Sequence, residues 1–301
     1  MDKHTDVDAL TEYITDEVFR IFKQSPDSWM RKTLGPAIYP PAHRFASLAA
    51  NFDADILEFG FREAAIRIIS RYIQGFEARN TEKVPQEGPL LITSNHPGTI
   101  DSLVITASLP RPDLKIVATG IPFIENLKNA ADHLIYTPRL GIHERMQVVR
   151  SAIHHLQQGG AVLIFPSGHI DPDPELSPEE AADFGRWSHS VELMLKQVPQ
   201  TQVLLTIVSG VLSARWRWNP LVRLMGDEQK QRTVAEVLQV IQSIILPRLN
   251  RVEPRLTFSD PLSTDELAQT DQDLLESMIE HARCLMEDHL AQGKKLLPAR
   301  T

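Results

Sequence analysis

The sequence predicts an α/β fold: a mixed, largely parallel sheet flanked by helices, with a helical region before it and a helix after it. Three observations predict it. From residue 88 onward, compact apolar runs of strand length alternate with segments of helical periodicity. Glycine, proline and small polar residues fall at the junctions between them. Before residue 70 only helical spacing is found.

The elements follow in order. Residues 6–70 read as helices, and across 53–70 Ile56, Leu57, Phe59, Ala64, Ile66, Ile68 and Ile69 recur around charged positions without alternating. Residues 72–76 read as a short strand, and Pro85, Gly88 and Pro89 as a loop. A strand at 90–94 runs into Asn95-His-Pro-Gly98, and a helix starts near Thr99. Strands are expected at 114–118 and 134–137, with a helix over 144–158 that Gly159-Gly160 ends. After a buried strand at 161–165, Ser177-Pro-Glu-Glu180 has the form of a capping box, predicting a helix to about Lys196. Strands at 203–208 and 255–258 come next, and a second capping box, Ser263-Thr-Asp-Glu266, opens a C-terminal helix to about Ala291. The predicted organisation is therefore 1–70 helical, 71–262 α/β, and 263–301 a helical extension.

Composition narrows the class. The 301 residues are 42% hydrophobic and 23% charged, enough for a full core in one large or two modest domains. One cysteine, Cys284, excludes a disulfide framework and a cysteine metal site and fits a reducing, cytoplasmic compartment. The opening residues have no apolar stretch of the secretory kind, and no segment approaches the roughly 20 apolar residues of a membrane span. A net charge of −8 argues against a broad nucleic-acid surface. Neither a nucleophile elbow, a dinucleotide or phosphate glycine loop, nor a zinc-type histidine pair is found, so no cofactor and no metal are expected.

Ligands of such sheets gather beyond the carboxyl ends of the strands. Two loops of that type carry chemistry. Ser94-Asn-His-Pro-Gly-Thr-Ile-Asp101 sets His96 just past a strand and Asp101 at the start of a helix. A carboxylate that holds one imidazole nitrogen fixes the tautomer and raises the basicity of the other, which can then take a proton from an attacking alcohol. Phe165-Pro-Ser-Gly168 is a strand running into a small-residue turn where a ligand can approach the backbone, Gly98 and Gly168 offering their amides to an oxyanion or phosphate. Histidine and aspartate five residues apart are by themselves unspecific.

The combination is more telling. The first loop resembles the NHxxxxD block of the glycerolipid acyltransferase family, the bacterial and plastid enzymes that acylate glycerol 3-phosphate and lysophosphatidate. Tyr72-Ile-Gln-Gly-Phe-Glu77 and Gly88-Pro-Leu-Leu-Ile-Thr-Ser-Asn-His96 resemble the approach to that block. Leu134-Ile-Tyr-Thr-Pro-Arg139 resembles the second block, Gly159-Gly-Ala-Val-Leu-Ile-Phe-Pro-Ser-Gly168 the third, and Arg255-Leu-Thr-Phe-Ser-Asp-Pro261 the closing strand. The resemblance spans about 71–262 and implies a glycerol-3-phosphate acyltransferase-like fold. It implies that His96 is a general base oriented by Asp101, that Arg139 meets the acceptor's phosphate, and that Pro166, Ser167, Gly168 and His169 bind substrate. The implied partners are acyl-CoA or an acyl-carrier protein as donor and a glycerophosphate or lysophospholipid as acceptor, in phospholipid synthesis. Ser167 stands where most members have glutamate, and Asp171 and Asp173 follow where a basic run is common, so repulsion of a phosphate is expected there. The alternative on the same fold is a non-catalytic lipid- or acyl-chain-binding protein.

One further segment stands out in an acidic chain. Residues 214–225 hold Trp216 and Trp218 with Arg215 and Arg217 among apolar residues, the composition of a contact with an anionic membrane, which would make the protein peripheral on the inner face.

Overall fold

Central strands that are apolar on both faces need helices above and below them, and this chain supplies those helices from its two ends. The computed structural model describes residues 5–296 apart from 22–23, 26, 74, 138–141, 247–248, 250–251 and 270–272. Three helices open it: α1 (Val7–Ile21), α2 (Trp29–Phe59) and α3 (Phe61–Ile69). Then come β1 (Glu77–Arg79), β2 (Leu90–Ser94), α4 (Ile100–Ser108), β3 (Lys115–Thr119), α5 (Pro122–Glu125) and β4 (Leu134–Thr137). They are followed by α6 (Ile142–Gln157), β5 (Ala161–Ile164), α7 (Pro178–Ala181), α8 (Ser190–Gln197) and β6 (Gln202–Ser209). The chain closes with α9 (Ala214–Arg217), α10 (Pro220–Arg223), α11 (Glu228–Ile245), β7 (Arg255–Phe258), α12 (Thr264–Leu267) and α13 (Leu274–Leu296).

The strands form one seven-stranded sheet in the order β1-β7-β6-β2-β5-β3-β4. All neighbours are parallel except β6 and β7, so the sheet is mixed and largely parallel, as the sequence predicts. Successive side chains of a strand point to opposite faces. Leu90 and Ile92 of β2 with Leu204 of β6 therefore pack on Ala46 of α2, Ala65 of α3 and Val104 of α4. Leu91, Val162 and Val203 face the other way, onto Ala152 of α6, Met194 of α8 and Met278 of α13. All three segments set apart in the sequence thus share cores with the sheet.

Two polar side chains lock this arrangement. Arg111 is buried and donates to the carbonyls of Pro85, Gly88 and Gly159 while pairing with Asp113, tying together loops at the amino end of the sheet. Asp53, buried in α2, accepts from the N–H groups of Asn129 and Ala130, from the Asn129 amide, and from Thr5.

Four expectations are corrected. The helical pattern over 53–70 is broken at Gly60, whose φ of 84° ends α2 and starts α3 at a new angle that a side chain would resist. The strand expected at 72–76 lies instead at β1: Ile73 is buried in the core shared by the opening helices and the sheet, Tyr72 and Phe76 pack against that core, and Glu77–Arg79 pair with β7. No capping bond forms at Ser177, and the helix expected to Lys196 is split into α7 and α8. Between them Phe184 and Trp187 turn into the core at 5.1 Å, edge to face, and Ser188 donates to the carbonyl of Pro166. The capping box at Ser263 and Glu266 does form, but it opens only the single turn of α12, and α13 is a separate helix. Among the described residues no helix is long and apolar enough to cross a membrane.

Candidate active site

Because β6, β2 and β5 are adjacent and parallel, the loops that follow them leave the same edge of the sheet. The loop after β2 begins with Asn95, whose side chain both accepts from and donates to the backbone of Val208, continuing the β2–β6 ladder by one side-chain rung. At Gly98 a Cβ would lie 3.2 Å from Glu236 Oε1 and 3.4 Å from Val211 Cγ2, so a side chain there would require Glu236 to give way by a few tenths of an ångström.

The next residue after Asn95 is His96. Its Nδ1 lies 2.9 Å from Oδ2 of Asp101, in the first turn of α4. Asp101 is fully buried and also accepts from the N–H groups of Gly98 and Ser102, so its carboxylate has one orientation. With Nδ1 committed as donor to this carboxylate, Nε2 is left with its lone pair. The imidazole side chain remains 24% exposed and stacks on the ring of Phe165, centroids 4.3 Å apart. Backbone bonds fix the main chain as well: His96 N–H donates to Asp171 Oδ2, and Asp171 N–H to the carbonyl of His96. Burial pulls the basicity of His96 down, but Asp101, with Glu236 and Asp171, more than reverses this and brings its pKa to about 9.

Beside the loop lies a cavity of about 250 Å³. Pro97, Gly98 and Thr99 form its wall at the His96 end, and Phe52, Phe61, Leu103, Ile116 and Phe123 line the rest with almost wholly apolar surface. Such a space suits a flexible hydrocarbon tail better than a polar ligand.

This geometry accompanies a match in sequence. Residues 75–186, which contain both His96 and Asp101, match the acyltransferase family model. This segment is similar to acyltransferase domains. Among solved structures, the chain is similar to the crystal structure of the 1-acyl-sn-glycerophosphate acyltransferase PlsC from Thermotoga maritima, with a TM-score of 0.46 and 14% sequence identity over 97% of each chain. No curated protein gives a significant match.

The other residues singled out in the sequence are distributed unevenly around the His96–Asp101 pair. Ser167 comes close: its Oγ donates to Asp171 Oδ2 at 3.0 Å, within a recess also lined by Asn95 and the exposed Arg186. A carboxylate thus stands beside Ser167 even though the residue itself is not acidic. Pro166 is buried and accepts from Ser188, while Gly168 and His169 are exposed. The amides of Gly98 and Gly168 do not await a ligand, for they donate to Asp101 and to the carbonyl of Phe165. Arg139 lies outside the described residues.

The repulsion expected from Asp173 is also corrected. Asp173 is buried and accepts from the N–H groups of Glu175, Gly210, Val211 and Leu212, so it binds the loop after β5 to the loop after β6 and does not face ligand. Of the four residues expected at a membrane, Arg215 and Trp218 are exposed. Trp216 donates to Gln242 from a half-buried position, and Arg217 is buried with its guanidinium over Trp218. The exposed apolar surface continues instead to Leu221 and Leu224, beside the exposed Arg223.

Sequence reasoning assigned no role to Asn95 or Glu236, and gave Asp171 only the repulsion of a phosphate, not its bonds to the backbone N–H of His96 and to Ser167. Asn95 was adjacent to the recognised histidine and could have been found from that position. Glu236 gave no local signal, because nothing in the sequence of α11 distinguishes this buried glutamate from the exposed Glu228.

Proposed function

We propose that the protein transfers a fatty acyl group from an acyl thioester, on coenzyme A or an acyl-carrier protein, to a hydroxyl of a glycerol-phosphate or lysophospholipid acceptor. The observation that carries this reading is His96: Nδ1 is held by buried Asp101, Nε2 is available, and the apolar cavity begins at the same loop. His96 Nε2 takes the acceptor's hydroxyl proton as the oxygen attacks the thioester carbonyl. The tetrahedral adduct collapses with cleavage of the carbon–sulfur bond, and the imidazolium returns its proton to the departing thiolate. Asp101 keeps the tautomer and offsets the imidazolium charge, while the cavity holds the tail. General-base assistance is worth about 10²–10⁴ in rate, and alignment of the two substrates supplies much of the rest.

In this reading residues 71–262 carry the chemistry, and the helical regions 1–70 and 263–301 complete its walls. Pro166, Ser167, Gly168 and His169 border the acceptor, and Arg139 with Arg186 supplies guanidinium donors to its phosphate. The exposed face of Arg215, Trp218, Leu221, Arg223 and Leu224 meets an anionic membrane from the cytoplasmic side. The test is mass spectrometry of lipids formed by the purified protein from one acyl thioester and a panel of acceptors. Acylated product that vanishes in folded His96→Ala is the expected result. No product from any phosphorylated acceptor with either donor would overturn the reading.

A further inference from the structure

The element that completes the dyad lies outside the family-matched segment. Asp101 sits in the first turn of α4, where backbone N–H groups have no partners within the helix. A helix usually meets this need with the side chain of its own N-cap residue. Thr99 is at that position but makes no such bond, its backbone being helical with φ −67° and ψ −29°. Its N–H and its hydroxyl both donate to Glu236 Oε1 on α11.

Glu236 is only 7% exposed and forms part of the cavity wall beside Pro97 and Gly98. Its neighbours Val234 and Ala235 anchor α11 in a small core with Leu212 and Val222. One turn further on, Gln239 accepts from the N–H of Ser213 and donates to the carbonyl of Val211. α11 therefore grips the loop after β2 with one side chain and the loop after β6 with the next. A glutamine at 236 could accept the same two bonds without the cost of placing a carboxylate in an apolar wall. The hydrogen bonds therefore do not by themselves call for the charge.

We infer that Glu236 is a positioning residue of this site: it holds the His96–Asp101 loop through Thr99 and adds a negative charge beside the dyad. The inference rests on the acyl-transfer reading for its catalytic meaning but not for its physical content. The charged groups that face His96 are Asp101 from α4, Asp171 from the loop after β5, and Glu236 from α11. Burial and the neighbouring Asp101 carboxylate push the pKa of Glu236 above the usual carboxylate value, a rise that the bonds from Thr99 and the attraction of His96 offset only in part. In acyl transfer the charge would keep His96 basic enough to accept the hydroxyl proton, and the bonds would keep Gly98 close enough to orient Asp101.

The experiment is an NMR titration of the His96 imidazole in the full chain, compared between wild type and Glu236→Gln, with acyl transfer followed against pH in parallel. The His96 midpoint should fall by about one pH unit in the variant, the scale of a neighbouring charge, and the acidic limb of kcat/KM should move down with it. An unmoved midpoint in folded Glu236→Gln would overturn the inference and reduce Glu236 to a structural cap. Should that variant not fold, Glu236→Asp, which draws the carboxylate back by one methylene, should lower the midpoint by a smaller amount, and no change there would again overturn it. The titration needs no substrate. A wild type without transferase activity would therefore defeat the proposed function while leaving the His96 result to decide the role of Glu236.

Discussion

Asn95 and Val208 exchange two hydrogen bonds, side-chain amide to carbonyl and backbone N–H to Oδ1, both 2.8 Å long. The pair lies one residue from His96 and prolongs the β2–β6 register beyond Ser94↔Thr206. Asn95→Ala leaves both backbone groups of Val208 without partners in a buried place, so we expect a loss of about 2 kcal/mol in stability. Asn95→Asp keeps the shape but sets a carboxylate oxygen against the Val208 carbonyl and should cost at least as much. Chemical denaturation measures both, and an Asn95→Asp protein as stable as wild type would refute the account.

The pH dependence follows from His96. The proposed base must be neutral, and its pKa is raised to about 9 from an ordinary 6.5. Below about pH 9 kcat/KM should therefore rise about tenfold per pH unit and then level off. Asp101→Asn should move this limb to lower pH and depress the plateau by orders of magnitude, because the tautomer is no longer held. The same shift has a sign for folding. Stability from the charged His96 is fully present below pH 6.5 and is lost as pH rises through about 9. A limb centred at the ordinary histidine value would contradict the charge arrangement described.

Asp173 should prove structural. In Asp173→Asn the new side-chain NH₂ must face two N–H donors, either those of Glu175 and Gly210 or those of Val211 and Leu212. The expected cost is about 3 kcal/mol, read as a fall in Tm, with no special loss toward phosphorylated acceptors. Selective improvement with glycerol 3-phosphate would instead restore the repulsion expected from the sequence.

The cavity should measure the acyl tail. Ala118, on β3, lines it, and Ala118→Phe would fill part of the space. Each methylene excluded forfeits about 0.8 kcal/mol, so loss of room for two should lower kcat/KM with a long-chain thioester about tenfold. Transfer from a short-chain thioester should be nearly unchanged. An equal loss with both donors would mean that the tail binds elsewhere.

Membrane contact should depend on the residues that are exposed. Trp218 is 48% exposed, Leu221 68% and Leu224 82%. Sedimentation with anionic vesicles should weaken in Trp218→Ala with Leu224→Asp and in Arg215→Glu with Arg223→Glu, and should fall at high salt. Binding that is indifferent to all four substitutions would assign the membrane contact to another surface.

The central strands were legible because burial on both faces writes a continuous apolar run, as in 90–94 and 161–164. β1 left no such mark, since Glu77, Ala78 and Arg79 are all half-buried in a short strand at the sheet's edge. The break between α7 and α8 was hidden because its cause is tertiary: Phe184 and Trp187 gain more from the core than the helix gains from continuing. In the site, the His96–Asp101 spacing was readable because both residues belong to one loop and the helix it enters. The orientation of Asp173 was not, because three of its four donors lie in residues 210–212, on another strand's loop. Trp216 and Trp218 looked alike in sequence, and only the packing of α9 on α11 separates the tryptophan bonded to Gln242 from the one facing solvent.

The cavity draws its walls from distant parts of the chain: Phe45 and Phe52 from α2, Phe61 from α3, Val240 from α11, and Val252, all outside the family-matched residues 75–186. A fragment trimmed to the matched segment would retain the reactive loop but expose it to water, with no enclosure left to gauge a hydrocarbon. If the cavity holds the acyl tail, as proposed, substitutions in those flanking helices would retune which tails are admitted while His96 and Asp101 stay as they are. On that reading, selectivity could drift independently of the chemistry.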